Sequence, residues 1–144
     1  MIEKILVAID GSTHAKHALE YAVEACLKYD AELLIVSVVP PPSPLIIPGP
    51  GFDIVNYITE LENAFQNVLT EAEEYVQEKS PGIKVSTQLG SGRPADVIIK
   101  IAEKENVDLI VMGSRGYGGI TGWILGSTSR HVVEHCTKPI LIVK

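Results

Sequence analysis

Met112-Gly113-Ser114-Arg115-Gly116-Tyr117-Gly118-Gly119-Ile120-Thr121-Gly122-Trp123-Ile124-Leu125-Gly126-Ser127-Thr128 holds six of the chain's twelve glycines. An apolar run, Val107-Asp108-Leu109-Ile110-Val111-Met112, leads into it, and the pattern predicts a helix from about Ser127. Strand, glycine-rich turn and helix in that order bring backbone N–H groups to the carboxyl end of a buried strand. Glycine reaches positive φ at little cost and lets the backbone come close to a bound group. The first N–H groups of a helix have no internal partner and suit an anion. The stretch therefore reads as a phosphate-binding loop, with a plain surface loop as the alternative.

Working outward, the same alternation of strand and helix fills the chain. Lys4 to Ile9 is a nearly continuous apolar run, as expected of a central parallel strand. Asp10-Gly11-Ser12 ends it, and Ser12 or Thr13 can cap a helix running to about Tyr29. Ala15, Ala18, Leu19, Ala22, Ala25 and Cys26 share one face of that helix. Glu32 to Val39 is a second buried strand. Residues 40–51 carry six prolines, which exclude a helix or a central strand, so this is a loop of polyproline character in which Leu45, Ile46 and Ile47 need cover. It reads as a tolerated insertion or, more sharply, as a lid or partner contact.

Phe52 to about Lys79 is a long amphipathic helix, with Val55, Ile58, Leu61, Phe65, Val68, Leu69, Ala72, Tyr75 and Val76 at three- and four-residue spacing. Ile83 to Leu89 alternates and suits an edge or near-edge strand. Pro94 opens a third helix, Val107 to Met112 forms a fourth strand, Ser127 to about Cys136 a last helix, and Pro139 to Val143 a fifth strand.

Strands separated by helices imply one α/β domain over residues 1–144, an open parallel five-stranded sheet with helices on both faces. Ligands of such sheets bind at the carboxyl ends of the strands where the winding reverses. Asp10 and Gly113 end the first and fourth strands. The strand order 3-2-1-4-5 makes them neighbours at the switch point.

Several literal motifs are set aside. No Walker A pattern occurs. Gly90-Ser91-Gly92-Arg93-Pro94-Ala95 matches G-x-G-x-x-A, but after a weak strand and without an acidic residue ending the next one. It reads as a helix-start turn. His131-Val132-Val133-Glu134-His135 matches H-x-x-E-H on a short helix without a third ligand, and reads as a solvated polar face. His14 and His17 read as exposed. Asp10 reads either as a local cap or as an acceptor for a ribose or base, or as a holder of a metal through water; cap and ligand roles are compatible.

The net charge of −6 lacks the clustered basic surface that nucleic acid requires. No apolar run reaches membrane-spanning length, and Met1 to Val7 reads as a strand rather than a signal peptide. The two cysteines, Cys26 and Cys136, fit no ligand spacing and suit buried positions in a reduced, cytoplasmic setting.

Gly113-x2-Gly116-x9-Gly126-Ser127 resembles the G-2x-G-9x-G-S/T signature of the ATP-binding branch of the universal stress protein family. Ile5 to Ser12, Gly92-x-Pro94-Ala95-x2-Ile98, Asp108 to Gly116 and Cys136-x2-Pro139 to Val143 resemble other parts of that family. The resemblance spans the whole chain and implies a Rossmann-like fold of the adenine-nucleotide alpha-hydrolase type. It implies that Ala8, Ile9 and Asp10 face the nucleoside, with Val38 beside the adenine. Met112 and Gly113 would back the ribose. Ser114, Arg115 and Gly116 would border the phosphates, and Gly126, Ser127 and Thr128 would supply donors at the helix start. Magnesium or manganese would be held through the phosphates. A homodimer through Pro139 to Val143 is implied as well, since an apolar edge strand should be paired or blunted. Nothing transfers to the proline-rich segment.

With no P-loop lysine and no evident base to activate water, the expectation is ATP binding with at most slow hydrolysis, in a stress-response or signalling module rather than an enzyme. The alternatives are a slow ATPase or phosphotransferase with Ser127 or Ser114 as acceptor, and a nucleotide-free scaffold. Gly113→Val together with Gly126→Val is expected to abolish binding and leave the fold intact.

Overall fold

The computed structural model describes residues 1–45, 48–115 and 125–144. Among them five strands, β1 (Lys4–Ala8), β2 (Glu32–Val39), β3 (Val85–Ser91), β4 (Leu109–Gly113) and β5 (Ile140–Val143), form one parallel sheet in the order β3-β2-β1-β4-β5. Helices α1 (Thr13–Tyr29), α2 (Ile54–Lys79), α3 (Pro94–Lys104) and α4 (Ser127–His135) alternate with them. The order is the one the switch-point argument requires.

Alternating side chains of each strand divide the core into two layers. Ile5, Val7, Leu33, Ile35 and Val111 pack under α1 and α2, with Ala18, Ala22, Cys26, Leu69 and Val76. Leu6, Leu34, Val36, Ile110 and Met112 pack under α3 and α4, with Ile98, Ile101, Ala102 and Val132. Each fully buried Val, Leu or Ile contributes about 1.5–3 kcal/mol. Burial of Cys26 in the first layer pushes its thiol up to about 12, while Cys136 is only half-buried.

Local chemistry sets the boundaries. Ser12 caps α1, its Oγ accepting from Ala15 N at 3.2 Å. Asp53 caps α2, its Oδ1 accepting from Asn56 N at 3.1 Å, so the helix begins two residues after Phe52. Asp30 ends α1 in the left-handed region, with its N–H on Cys26 O. Pro94 occupies the first turn of α3. β4 starts at Leu109 rather than Val107 because Asp108 is engaged elsewhere: its Oδ2 accepts from Glu3 N at 2.9 Å and Lys4 N at 3.0 Å. β3 is an edge strand, as its alternation predicts, but runs from Val85 to Ser91 rather than from Ile83 to Leu89.

α2 departs from its expected packing. Its 26 residues extend about 39 Å, whereas the eight residues of β2 extend about 26 Å. The helix outruns the sheet, so only Leu69, Ala72 and Val76 are buried and Val55 is 70% exposed. Leu45, in the proline-rich segment, is also exposed; Ile46 and Ile47 lie outside the described residues. Beside α2, a cleft of about 470 Å³ separates it from α1, with Ile9 and Gly11 at its sheet end and the small residues Ala15 and Ala72 on facing walls.

Candidate functional site

β1 and β4 pair in parallel with Ala8 opposite Met112, so Ile9 and Gly113 stand one residue further on. From that point the chain turns two ways. After β1 it rises to α1 on one face, and after β4 it passes to α4 on the other. The crevice between the two turns lies at the carboxyl ends of β1 and β4, where the sequence places its candidate residues.

The β1–α1 turn is fixed by its own side chains. Asp10 Oδ1 accepts from Ser12 N at 2.9 Å, and Gly11 has φ +86°, a conformation that other residues rarely adopt. Helix capping falls to Ser12, which leaves Asp10 to shape the turn. The side chains of Ala8, Val38 and Met112 belong to the α3–α4 layer, and Val38 and Met112 are buried. Ile9 lies in the opposite layer, under α1 and α2. Its backbone is engaged as well: Ile9 N donates to Val36 O at 2.9 Å, and Ile9 O accepts from Ser37 Oγ at 2.8 Å. Ile9 also lines the cleft between α1 and α2, while Ala8 faces the α3–α4 layer and Asp10 follows in the turn.

On the other side, Ser114 ties three elements together. Its N–H donates to Val143 O of β5 at 2.8 Å. Its carbonyl accepts from Gly126 N at 2.7 Å and from Ser129 Oγ at 3.0 Å. The start of α4 is thereby held against the end of β4, closing the base of the connection between them. Gly126 is the residue before α4, with extended φ −61° and ψ 161° and no side-chain cap. Ser127 is exposed and Thr128 half-buried in the first turn, which carries no acidic residue. This is a helix N-terminus disposed toward an anion. Arg115 is half-buried. Gly116, and with it Gly118, Gly119, Ile120, Gly122, Trp123 and Ile124, lies outside the described residues.

Two glycines earn a different account from the one the sequence suggests. A Cβ on Gly113 would stand 2.9 Å from His14 Cβ and 3.0 Å from the backbone C and O of His14. Gly113 is small because the first turn of α1 rides over the end of β4. A Cβ on Gly126 would stand 3.3 Å from Ser114 O. The expectation that valine at both positions leaves the fold intact is therefore corrected: at Gly113 the obstruction includes α1 backbone.

Sequence reasoning missed three residues. Ser129 is buried and closes the loop base, also donating to Gly126 O at 3.1 Å; only the run Ser127-Thr128-Ser129 hinted at it. Ser37, buried in β2, anchors Ile9 O; a serine inside an otherwise apolar strand was the available signal. His14 is half-buried rather than exposed, and its Nδ1 is buried without a hydrogen-bond partner among the described residues. His17 is exposed as expected. On α4, His131 Nε2 lies 3.0 Å from Asp96 Oδ1 and its ring stacks on His135 with centroids 4.1 Å apart. The His131–Asp96 contact links α4 to α3.

Comparison with known proteins agrees with this architecture. The model of the universal stress protein family matches residues 1–144. The chain is 37% identical over 150 residues to universal stress protein YxiE of Bacillus subtilis, covering all of both chains. It superposes on the universal stress protein UspA from Lactobacillus plantarum with a TM-score of 0.81 at 25% identity, covering 99% of this chain and 97% of that one. It also shares the fold of the universal stress protein from Archaeoglobus fulgidus solved in complex with dAMP, with a TM-score of 0.70 at 23% identity and full coverage of both chains. A parallel sheet wound 3-2-1-4-5, a crevice between the first and fourth strands and a family match from end to end have one reading: the chain belongs to the universal stress protein family.

Proposed function

We propose that this protein binds an adenine nucleotide, ATP in the first instance, in the crevice at the carboxyl ends of β1 and β4. The nucleotide then serves as the switch of a cytoplasmic stress-response or signalling module. The observation that carries the reading is the closed base at Ser114, where Gly126 N and Ser129 Oγ hold the uncapped start of α4 beside the end of β4. The phosphates would lie there, with Ser127 and Thr128 as donors; the Gly126 N–H expected to join them is already taken by Ser114 O. The nucleoside would lie toward Ala8, Asp10, Val38 and Met112. The dAMP complex of the Archaeoglobus fulgidus protein supports the ligand class.

The residues present fit such a ligand. The first turn of α4 has no acidic side chain to compete with an anion, and the buried Nδ1 of His14 has no hydrogen-bond partner among the described residues. Magnesium or manganese, held through the phosphates, would neutralise part of their charge. β5 is an edge strand with Leu141 partly exposed, which supports a homodimer through Pro139 to Val143.

The protein is proposed as a binding module rather than an enzyme, with slow hydrolysis at most. Burial of Ser114 disfavours it as a phosphate acceptor, whereas Ser127 is exposed. The purified protein is denatured and any released nucleotide identified, and its thermal midpoint is followed with and without Mg·ATP. Released adenine nucleotide or a concentration-dependent rise in midpoint is expected. The absence of both would overturn the proposal. A time course of phosphate release, or label transferred to Ser127, would favour the enzyme.

A further inference from the structure

His14 stands apart from the polar groups around it. It sits in the first turn of α1, and its Cβ and backbone abut Gly113 at the end of β4. Its Nδ1 is buried with no hydrogen-bond partner among the described residues, a condition that folded proteins seldom leave without a reason. The neighbouring polar groups are engaged with each other: Asp10 Oδ1 takes Ser12 N, and Ser12 Oγ takes Ala15 N. The first turn of α1 contains no acidic side chain. His14 therefore packs against the end of β4, the strand from which bound phosphates would extend toward α4, with a buried donor nitrogen left unused among the described residues.

We propose that His14 is a ligand-contacting residue of the nucleotide site, its Nδ1–H donating to a phosphate oxygen. This rests on the nucleotide reading above and adds a donor on the wall opposite α4. A charge-assisted bond from a buried donor discriminates nucleotides from nucleosides, because adenosine offers it nothing. His14 thus sets the preference for the phosphorylated ligand, while Asp10 and the α3–α4 layer bear on the nucleoside.

The test compares Mg·ATP and adenosine binding by calorimetry for the wild type, His14→Asn, His14→Gln and His14→Leu, with the unliganded thermal midpoint of each. Asparagine places an amide donor near the Nδ1 position, and glutamine places it near Nε2. The wild type binds ATP, and His14→Asn holds its affinity to within about threefold. His14→Gln and His14→Leu lose about tenfold or more. Adenosine binding is unchanged throughout, and the unliganded midpoint of His14→Leu is equal to or above that of the wild type, since an unpartnered buried nitrogen has been removed. Wild-type ATP binding with undiminished affinity in both His14→Gln and His14→Leu overturns the proposal and leaves the nucleotide reading standing. An equal loss for adenosine overturns it too, placing His14 beside the nucleoside or in the fold alone. Failure of the wild type to bind any adenine nucleotide overturns the reading beneath it. If His14→Leu does not fold, the asparagine and glutamine pair decides.

Discussion

Two aspartates mark opposite ends of the paired strands β1 and β4. Asp108 precedes β4 at the amino-terminal edge, where its Oδ2 accepts from Glu3 N and Lys4 N while Lys4 Nζ reaches Glu105 Oε2 at 3.0 Å. Asp10 follows β1 at the carboxyl edge and, among the described residues, accepts from Ser12 N alone. The first edge uses its polar groups to join strand to strand. The second uses them within one turn and holds α4 at its base through Ser114. The same residue type is a clasp at one edge and a turn-former beside the crevice at the other. The difference comes from the winding: at the amino edge neighbouring strand ends can bond each other directly, whereas at the switch point their chains leave toward opposite faces.

Substitutions can break that contrast, and Gly113→Val is the most severe. Its side chain meets α1 backbone at about 3 Å, so the expected cost is about 3 kcal/mol or more, read as a lowered urea midpoint with the slope preserved. A loss below about 1 kcal/mol would mean that α1 shifts freely and that the carboxyl edge is less constrained than its packing implies. Ser129→Ala removes the buried hydroxyl bond to Ser114 O. It should lower stability by about 1–2 kcal/mol and weaken ATP binding more than adenosine binding, because the start of α4 is no longer held.

The aspartates themselves separate the two edges. Asp108→Ala should lower stability by about 1 kcal/mol with ATP affinity unchanged. Backbone N–H groups of Glu3 and then Lys4 hold the Asp108 carboxyl below its usual range. A carboxylate with a lowered folded-state pKa stabilises above its unfolded value and loses that contribution as pH falls through the folded value. The difference between wild type and Asp108→Ala should therefore shrink from about pH 4 downward. Asp10→Asn keeps an acceptor for Ser12 N and should change stability by less than about 0.5 kcal/mol, while nucleotide affinity falls about tenfold. Equal effects of the two aspartates on binding would erase the contrast.

The winding and the facing of Asp10 and Gly113 were legible because buried parallel strands are continuous apolar runs and the turns between them carry the chemistry. The division of labour among the glycines was not. Gly113 looks like a residue that lets phosphate approach; only the seating of α1 over β4 reveals its packing role. Ser129, Ser37 and His14 escaped because each acts through a partner 15, 28 or about 100 positions away, beyond any local period. The stripe of α2 had the right spacing, but spacing carries no information on how far the sheet beneath extends, so Val55 was assigned to a face it does not bury.

The junction at Ser114 and Gly126 has one more consequence, for the length of the connection it closes. A connection whose ends are already pinned contributes to stability mainly through the entropy of closing it, and doubling its length costs only about 0.6 kcal/mol. On closure entropy alone, a change in the length of this connection is inexpensive, provided that Gly126 N and Ser129 Oγ still meet Ser114 O. What the fold requires of this connection is its pinned ends, Ser114, Gly126 and Ser129.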